Sequence, residues 1–202
     1  MRVLHVLDHS IPLHSGYTFR TASILREQRA LGWETFHVTG SKQHSGAQLE
    51  ETVDGLHFYR TPASTGALAK LPVLNQKEVI DGLAKRLAEI IPQIKPDVLH
   101  AHSPSLNAVA ALRAGKRFGI PVVYEVRAFW EDAAVDHGTS SENGLRYRAT
   151  RALETWALRR ADAVTTICEG LRRDIVARGI AADKVTVIPN AVDIDKFSVG
   201  GS

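Results

Sequence analysis

The chain has 202 residues, 44% of them hydrophobic and 23% charged, and carries a net charge of +3 from 25 basic and 22 acidic side chains. These values allow a sizeable core, so that disorder is not the default reading, and give no electrostatic case for nucleic acid, while a sequence pI near 9.1 permits attraction to an anionic surface. A single cysteine, Cys168, excludes an internal disulfide and fits a reducing, cytoplasmic compartment; no apolar run approaches the roughly 20 residues that span a bilayer, and no signal-peptide pattern precedes the first strand-like segment.

Arg2–Leu7 (R-V-L-H-V-L) is a short apolar run of the kind that forms a buried strand. The loop D-H-S-I-P-L-H-S-G-Y leads to a helix expected from about Thr18, with Phe19, Ala22, Leu25 and Leu31 at helical spacing and Gly32 in the stop position. Trp33–Thr39 reads as a second strand, and V-D-G-L-H-F-Y-R as a small hairpin turning at Asp54-Gly55. Gln76–Ile91 is helical, with Ile80, Leu83, Leu87 and Ile91 on one side, and Pro92 and Pro96 are expected to end it. Regular alternation follows: strand Val98–Ala101, helix Ser105–Phe118, strand Val122–Val126, a long loop, helix Leu145–Arg160, strand Ala163–Ile167, helix Gly170–Arg178 and strand Val185–Ile188. In the Leu145 helix, Leu145, Ala149, Ala152, Leu153, Trp156 and Ala157 form one apolar stripe. Strands alternating with helices predict an α/β domain over residues 1–188, a Rossmann-like parallel sheet with helices on both faces. Residues 189–202 carry no further helix signal and read as a linker leaving the domain, Gly200-Gly201-Ser202 included.

Ligands of open parallel α/β sheets bind outside the C-terminal ends of the strands, and that rule selects four segments. The first ends at Ser15-Gly16-Tyr17, just ahead of a helix: a glycine admits close backbone approach, and the free N–H groups of a helix start attract phosphate. An ordinary strand-to-helix turn would look the same. The dinucleotide pattern G-x-G-x-x-G is absent from this turn, which argues against a nicotinamide oxidoreductase. The second segment is H-A-H-S-P, where His100 and His102 share one face of a strand and offer an imidazole for a sugar hydroxyl or for proton transfer. His102, nearer the strand end, is the better ligand-facing candidate, and His100 reads equally well as a hydrogen-bonded, partly buried side chain. A zinc site lacks an evident third ligand, so no metal is expected.

The third segment, Y-E-V-R-A-F-W-E-D, gathers Glu125, Arg127, Trp130 and Glu131 at a strand end. Aromatic rings flank sugars and Arg suits phosphate or carboxylate, although Glu125 and Arg127 on one face also fit a plain ion pair. The polar loop after it, through His137 and Gly138 to Asn143, has the length of a lid or binding loop. In the fourth segment, I-C-E-G-L, Glu169 begins a helix, as a cleft residue or simply as a favourable first-turn acid, and Cys168 reads as a small apolar residue. Two basic or apolar faces, Arg146, Arg148, Arg151 and Arg159 on the Leu145 helix and A-L-A-K-L-P-V-L from Ala67, are either solvated or rest on an anionic membrane surface.

Taken together, L-H-V-L-D-H-S-I-P-L-H-S-G-Y, K-P-D-V-L-H-A-H-S-P, P-V-V-Y-E-V-R-A-F-W-E-D, A-D-A-V-T-T-I-C-E-G-L and K-V-T-V-I-P-N-A-V-D resemble the N-terminal domain of a family 4 retaining glycosyltransferase of the GT-B fold. The first and third blocks look closer to the exosortase-A-associated (PEP-CTERM) subgroup of exopolysaccharide loci. The resemblance implies two Rossmann-like domains across a cleft, the C-terminal one holding most of the nucleotide-sugar and this one the acceptor. It also implies that no metal or other cofactor is needed, because basic side chains and helix N-termini stabilise the leaving diphosphate. Ser15-Gly16 matches the loop near the donor phosphates but lacks the common Gly-Gly pair. Arg127 stands where many members have a sugar-contacting His. Glu125 and Glu131 are candidates for acceptor contact, and Asn190 borders the cleft at the start of the crossover linker.

The expected function is therefore transfer of a hexose-type sugar from a nucleotide-sugar to a lipid-linked or polysaccharide acceptor at the inner face of a bacterial membrane, with catalytic candidates His102, Arg127 and Glu125. These residues alone, without their C-terminal domain as partner, are expected to be inactive. Two alternatives are a stand-alone Rossmann-type module binding a nucleotide or glycan, and a GT-B-like nucleotide-sugar epimerase. The expectation shared by these readings is a rim at one sheet edge that brings Gly16, His102, Glu125 and Arg127 together.

Overall fold

The structure, a computed structural model, describes residues 1–41, 43, 48–63, 72–132 (72–74 as backbone only) and 144–191. Its elements are β1 (Arg2–Leu7), α1 (Gly16–Ala30), β2 (Glu34–Thr39), β3 (Glu50–Val53), β4 (Leu56–Arg60), α2 (Pro72–Ile94), β5 (Val98–His102), α3 (Ser105–Phe118), β6 (Val122–Val126), α4 (Leu145–Arg160), β7 (Ala163–Thr166), α5 (Glu169–Ala177) and β8 (Val185–Val187). They build one eight-stranded sheet in the order β3-β4-β2-β1-β5-β6-β7-β8. All neighbours are parallel except the β3–β4 pair, the hairpin that turns at Asp54 (φ 50°) and Gly55 (φ 73°). The expected α/β sheet with helices on both faces is thus what the chain forms.

The two faces differ in chemistry. Leu4, Val6, Leu99, Ala101, Tyr124, Val126 and Val164 project to one side, where Leu83, Leu87 and Ile90 of α2, Ala108 and Ala111 of α3, Ala157 and Leu158 of α4 and Ile175 of α5 cover them. This is the apolar core. Gly115 sets how closely α3 lies on the sheet: a Cβ there would stand 2.6 Å from the Ile120 carbonyl oxygen and 2.7 Å from a Val122 methyl. The opposite face carries a smaller apolar cluster of Leu7, Ile11, Leu25, Leu56 and Phe58 beneath α1. Elsewhere it presents histidines and a carboxylate, because the strand period of two aligns His37, His5 and His100 across β2, β1 and β5, and His102 with Glu125 across β5 and β6.

Several sequence expectations are corrected. Helix α1 begins at Gly16 rather than Thr18, because the Ser15 hydroxyl caps it by accepting from the Thr18 N–H. Its inward stripe is Thr18, Thr21 and Leu25, while Phe19 and Leu31 are exposed. Pro92 does not end α2, which runs from Pro72 to Ile94. Near a C-terminus a proline removes only one intrahelical bond, and the stop comes at Lys95, whose φ of 45° precedes Pro96. Of the expected α4 stripe, Leu153, Trp156 and Ala157 pack on the core, whereas Leu145, Ala149 and Ala152 are exposed. Leu145 is 86% exposed, and the buried residues are Glu154, Ala157 and Leu158. The loop through His137 to Asn143, the segment from Ala67 to Leu71 and the linker from Val192 lie outside the described residues.

Candidate functional site

At the C-terminal ends of β5 and β6 a buried polar network joins these strands to α1. Its centre is Arg127, one residue beyond β6. Its Nη1 donates to the Tyr17 carbonyl at 2.8 Å, Nη2 to the Thr21 hydroxyl at 3.1 Å and to His102 Nδ1 at 2.7 Å, and Nε to Glu125 Oε1 at 3.1 Å. The guanidinium also lies 4.2 Å from the Tyr17 ring centroid, at cation–π distance. Arg127 therefore fastens the first turns of α1 onto the sheet edge.

A guanidinium only donates, so the contact from Arg127 fixes His102 Nδ1 as an acceptor and sets the direction of a whole chain. His102 Nε2–H then donates to His5 Nδ1 at 2.9 Å, and His5 Nε2–H donates to Gln28 Oε1 at 2.8 Å. Burial, with His100 and Arg127 beside it, pushes His102 down to about 3. Burial and the neighbouring imidazoles lower His5 likewise, so both rings are neutral at pH 7.

Glu125 is the counter-charge. Its Oε1 accepts from Arg20 Nε of α1 at 2.8 Å as well as from Arg127. Its Oε2 sits 3.0 Å from His102 Nδ1 and 3.4 Å from His100 Nε2, and neither Oε2 nor His100 Nε2 has a hydrogen-bond partner among the described residues. Burial alone would raise this carboxyl. The Arg127 guanidinium beside it outweighs burial and holds it well below the usual carboxylate range.

The nitrogens of His5, His100 and His102 all lie within 4.8 Å of one another, a spacing that invites a cation. The ring planes argue otherwise. His100 and His102 stack at 4.2 Å with planes 24° apart, so their in-plane lone pairs do not meet at a nearby point, and the Arg127 guanidinium occupies His102 Nδ1. The cluster reads as a hydrogen-bonded network.

The structure brings Tyr17, His100, His102, Glu125 and Arg127 together, links Asn190 to them through Arg20, and places the other candidates apart. Ser15 is engaged as the α1 cap and lies 2.9 Å from His9 Nε2. Gly16 is exposed at the helix start, and among the described residues nothing lies within 4 Å of where a Cβ would stand. Tyr17 stacks on His9 at 4.6 Å, its hydroxyl accepts the Asp8 N–H, and burial pushes its phenol up. Trp130 is 42% exposed beside the same strand end. Glu131 turns to the other face of the sheet, where it is buried in an ion pair with Arg178 at 2.7 Å. Glu169 is exposed in the first turn of α5, and Asn190 is exposed just beyond β8, where its Oδ1 accepts from Arg20 at 3.0 Å. Cys168 is an exposed N-cap residue whose side chain makes no capping bond.

Sequence reading missed His5, Gln28 and Arg20, which enter the network through strand register and the inner face of α1. It also missed a second buried polar cluster under the apolar face. There the Tyr124 hydroxyl donates to Glu154 Oε1 at 2.7 Å, and Arg178 lies 3.5 Å from the Phe129 ring centroid. Burial raises Glu154 to about 7, against the Tyr124 hydrogen bond and with help from the charge of Glu131.

The glycosyl transferase 4-like domain family matches residues 15–191. The chain belongs to that family. It is 28% identical over 109 residues to the sulfoquinovosyl transferase SQD2 of Arabidopsis thaliana, an alignment covering 54% of this chain and 19% of that protein. Among solved structures, sucrose-phosphate synthase from Thermosynechococcus elongatus superposes with a TM-score of 0.69 at 13% identity, over 96% of this chain and 49% of that one. UDP-GlcNAc 2-epimerase from Neisseria meningitidis, bound to UDP-GlcNAc, gives 0.61 at 16% identity, over 93% and 45%. At these identities the superpositions speak for the fold, an α/β domain of GT-B type. The chain spans a fifth of the curated relative and about half of each of these structures.

Proposed function

We propose that this glycosyltransferase domain is the acceptor-side half of a retaining, hexose-transferring GT-B enzyme that takes a nucleotide-sugar and delivers the sugar to a lipid-linked or polysaccharide acceptor. Residues 1–188 form the domain, and the chain from Pro189 leads toward the donor-binding domain. The observation that supports this reading most is the placement of Arg127. It holds the open N-terminal turn of α1, at Gly16, beside the ends of β5 and β6, where a parallel α/β sheet receives its ligand. The first-turn N–H groups of α1 would face the donor diphosphate across the cleft, and the helix dipole together with basic groups of the opposing domain would stabilise the leaving group without a metal. His102, Glu125 and Arg127 are buried under α1 and shape this edge from below. Exposed Trp130 offers a ring for an acceptor sugar, and Asn190 borders the cleft.

The exopolysaccharide subgroup suggests the acceptor class, and the exposed arginines Arg148, Arg151 and Arg159 of α4 suggest peripheral contact with an anionic inner-membrane face. No helix among the described residues is long and apolar enough to cross a membrane. An epimerase reading rests on fold likeness alone, and the family match outweighs it. A stand-alone binding module is disfavoured for the same reason.

The test is product analysis. The full-length protein, incubated with a panel of nucleotide sugars and a lipid-linked acceptor, should form a glycoside with the anomeric configuration of the donor. Residues 1–202 alone should form none. A C2-epimerised nucleotide sugar without glycoside, or equal turnover by residues 1–202, would overturn the proposal.

A further inference from the structure

Among the described residues, the hydrogen bonds of Arg20 in α1 reach furthest along the chain. Nε donates to Glu125 Oε1 at 2.8 Å, Nη2 to the Ile188 carbonyl at 2.8 Å, and Nη1 to the Pro189 carbonyl at 3.1 Å and to Asn190 Oδ1 at 3.0 Å. These partners lie 105 to 170 residues from it in sequence. The three acceptors at 188–190 belong to the segment in which the chain leaves the sheet. The last ladder bond of β8 is the Ile188 N–H to the Thr166 carbonyl at 2.8 Å, and Pro189 has no N–H to continue it. From Pro189 onward the backbone loses the sheet as its support.

We propose that Arg20 is a positioning residue that fastens this exit segment to Glu125 and so fixes the Asn190 carboxamide at the edge of the ligand cleft. One carboxylate oxygen, Glu125 Oε1, serves both arginines, so the first turns of α1 (through Arg127), the end of β6 and segment 188–190 (through Arg20) are joined at a single point. With Asn190 Oδ1 occupied by Arg20, the Nδ2 amide is directed to the other side of the carboxamide, as a donor for a ligand oxygen. Any movement of a following domain then pivots beyond Asn190 and leaves the rim intact. Four bonds to acceptors on two sides call for the forked guanidinium. A lysine keeps the charge but is a single point donor that cannot span a carboxylate on one side and three chain oxygens on the other.

The fastening stands on contacts within this chain, and only its consequence for a ligand rests on the function proposed above. The test is 15N relaxation of the full chain, comparing wild type with Arg20→Lys, Arg20→Met and Asn190→Ala. In the wild type the Asn190 and Ala191 amides and the Asn190 side-chain NH2 should share the order of β8, with order parameters near ~0.85. In both Arg20 variants they should fall below about 0.6 while Val185–Val187 are unchanged and the melting temperature moves little. Asn190→Ala, which removes one bond of the four, should keep the Ile188 amide ordered. Unchanged order at Asn190 in Arg20→Met, or full order restored by Arg20→Lys, would overturn the proposal. If order is lost as expected but the full-length protein transfers no sugar, the fastening stands and the functional reading falls.

Discussion

Glu154→Gln should convert the pH dependence of this domain's stability. Glu154 is buried among Tyr124, Glu131 and Arg178, and burial raises its carboxyl from 4.5 to about 7. The folded state therefore binds this proton more tightly than the unfolded chain does. The resulting stability is fully present below pH 4.5 and is lost as pH rises through 7. A shift of two to three units corresponds to about 3 kcal/mol. Glutamine keeps the acceptor for the Tyr124 hydroxyl and carries no charge. The stability difference, Glu154→Gln minus wild type, should thus grow by about 3 kcal/mol between pH 4.5 and 8.5, or roughly 6–12 °C in melting temperature for a domain of this size. Urea unfolding followed by circular dichroism across that range measures it. Parallel stability curves for the two proteins would refute the reasoning, because they would mean that Glu154 ionises in the fold as it does in the unfolded chain.

Three further outcomes follow from the same contacts. His102, lowered to about 3 by burial, has the opposite sign: its contribution is present above pH 6.5 and is lost on acidification, by about 2 kcal/mol at pH 5. In the wild type Glu154 opposes this loss, which the buried His5 and His37 share, so acid destabilisation should be steeper in the Glu154→Gln background than in the wild type, and a flat profile there would count against the buried neutral histidines. Gly115→Ala should destabilise the domain by about 1–3 kcal/mol in thermal unfolding, because the added methyl meets the Ile120 carbonyl at 2.6 Å; a neutral outcome would show that α3 can slide on the sheet. Replacing Arg148, Arg151 and Arg159 of α4 by Gln should weaken co-sedimentation with phosphatidylglycerol-containing vesicles about 100-fold, at about 1 kcal/mol per arginine, with no change on phosphatidylcholine. Binding unaffected by the substitutions would remove the membrane contact from the account.

Strand and helix succession was legible because period-two and period-3.6 apolar patterns alternate clearly after Val98, and the Asp54-Gly55 turn carries its own signal. What stayed hidden depends on which strands become neighbours. His5 looked like one polar residue in an apolar strand. Only the β1–β5 register puts it opposite His100 and within reach of His102. Gln28 and Arg20 sit on a helix whose apolar spacing pointed attention to Phe19 and Leu31, both exposed, whereas its inner face is Thr18, Thr21 and Leu25 with long polar side chains reaching around them. Glu131 looked like its neighbour in a dense polar segment, yet the chain turns after Phe129 and buries it on the other face with Arg178. Pro92 misled because a helix-breaking rule holds for interiors, and this proline lies in the last turn.

The most direct measurement is sugar transfer by the full-length protein with Arg127 intact and with Arg127→Met, alongside the melting temperature of each. If Arg127 holds the start of α1 against the sheet edge where the donor is received, the substitution should lower turnover roughly 100-fold, as expected for a displacement of about 1 Å at a reacting site, while the protein stays folded. Unchanged turnover by a folded Arg127→Met enzyme would contradict the account at its centre.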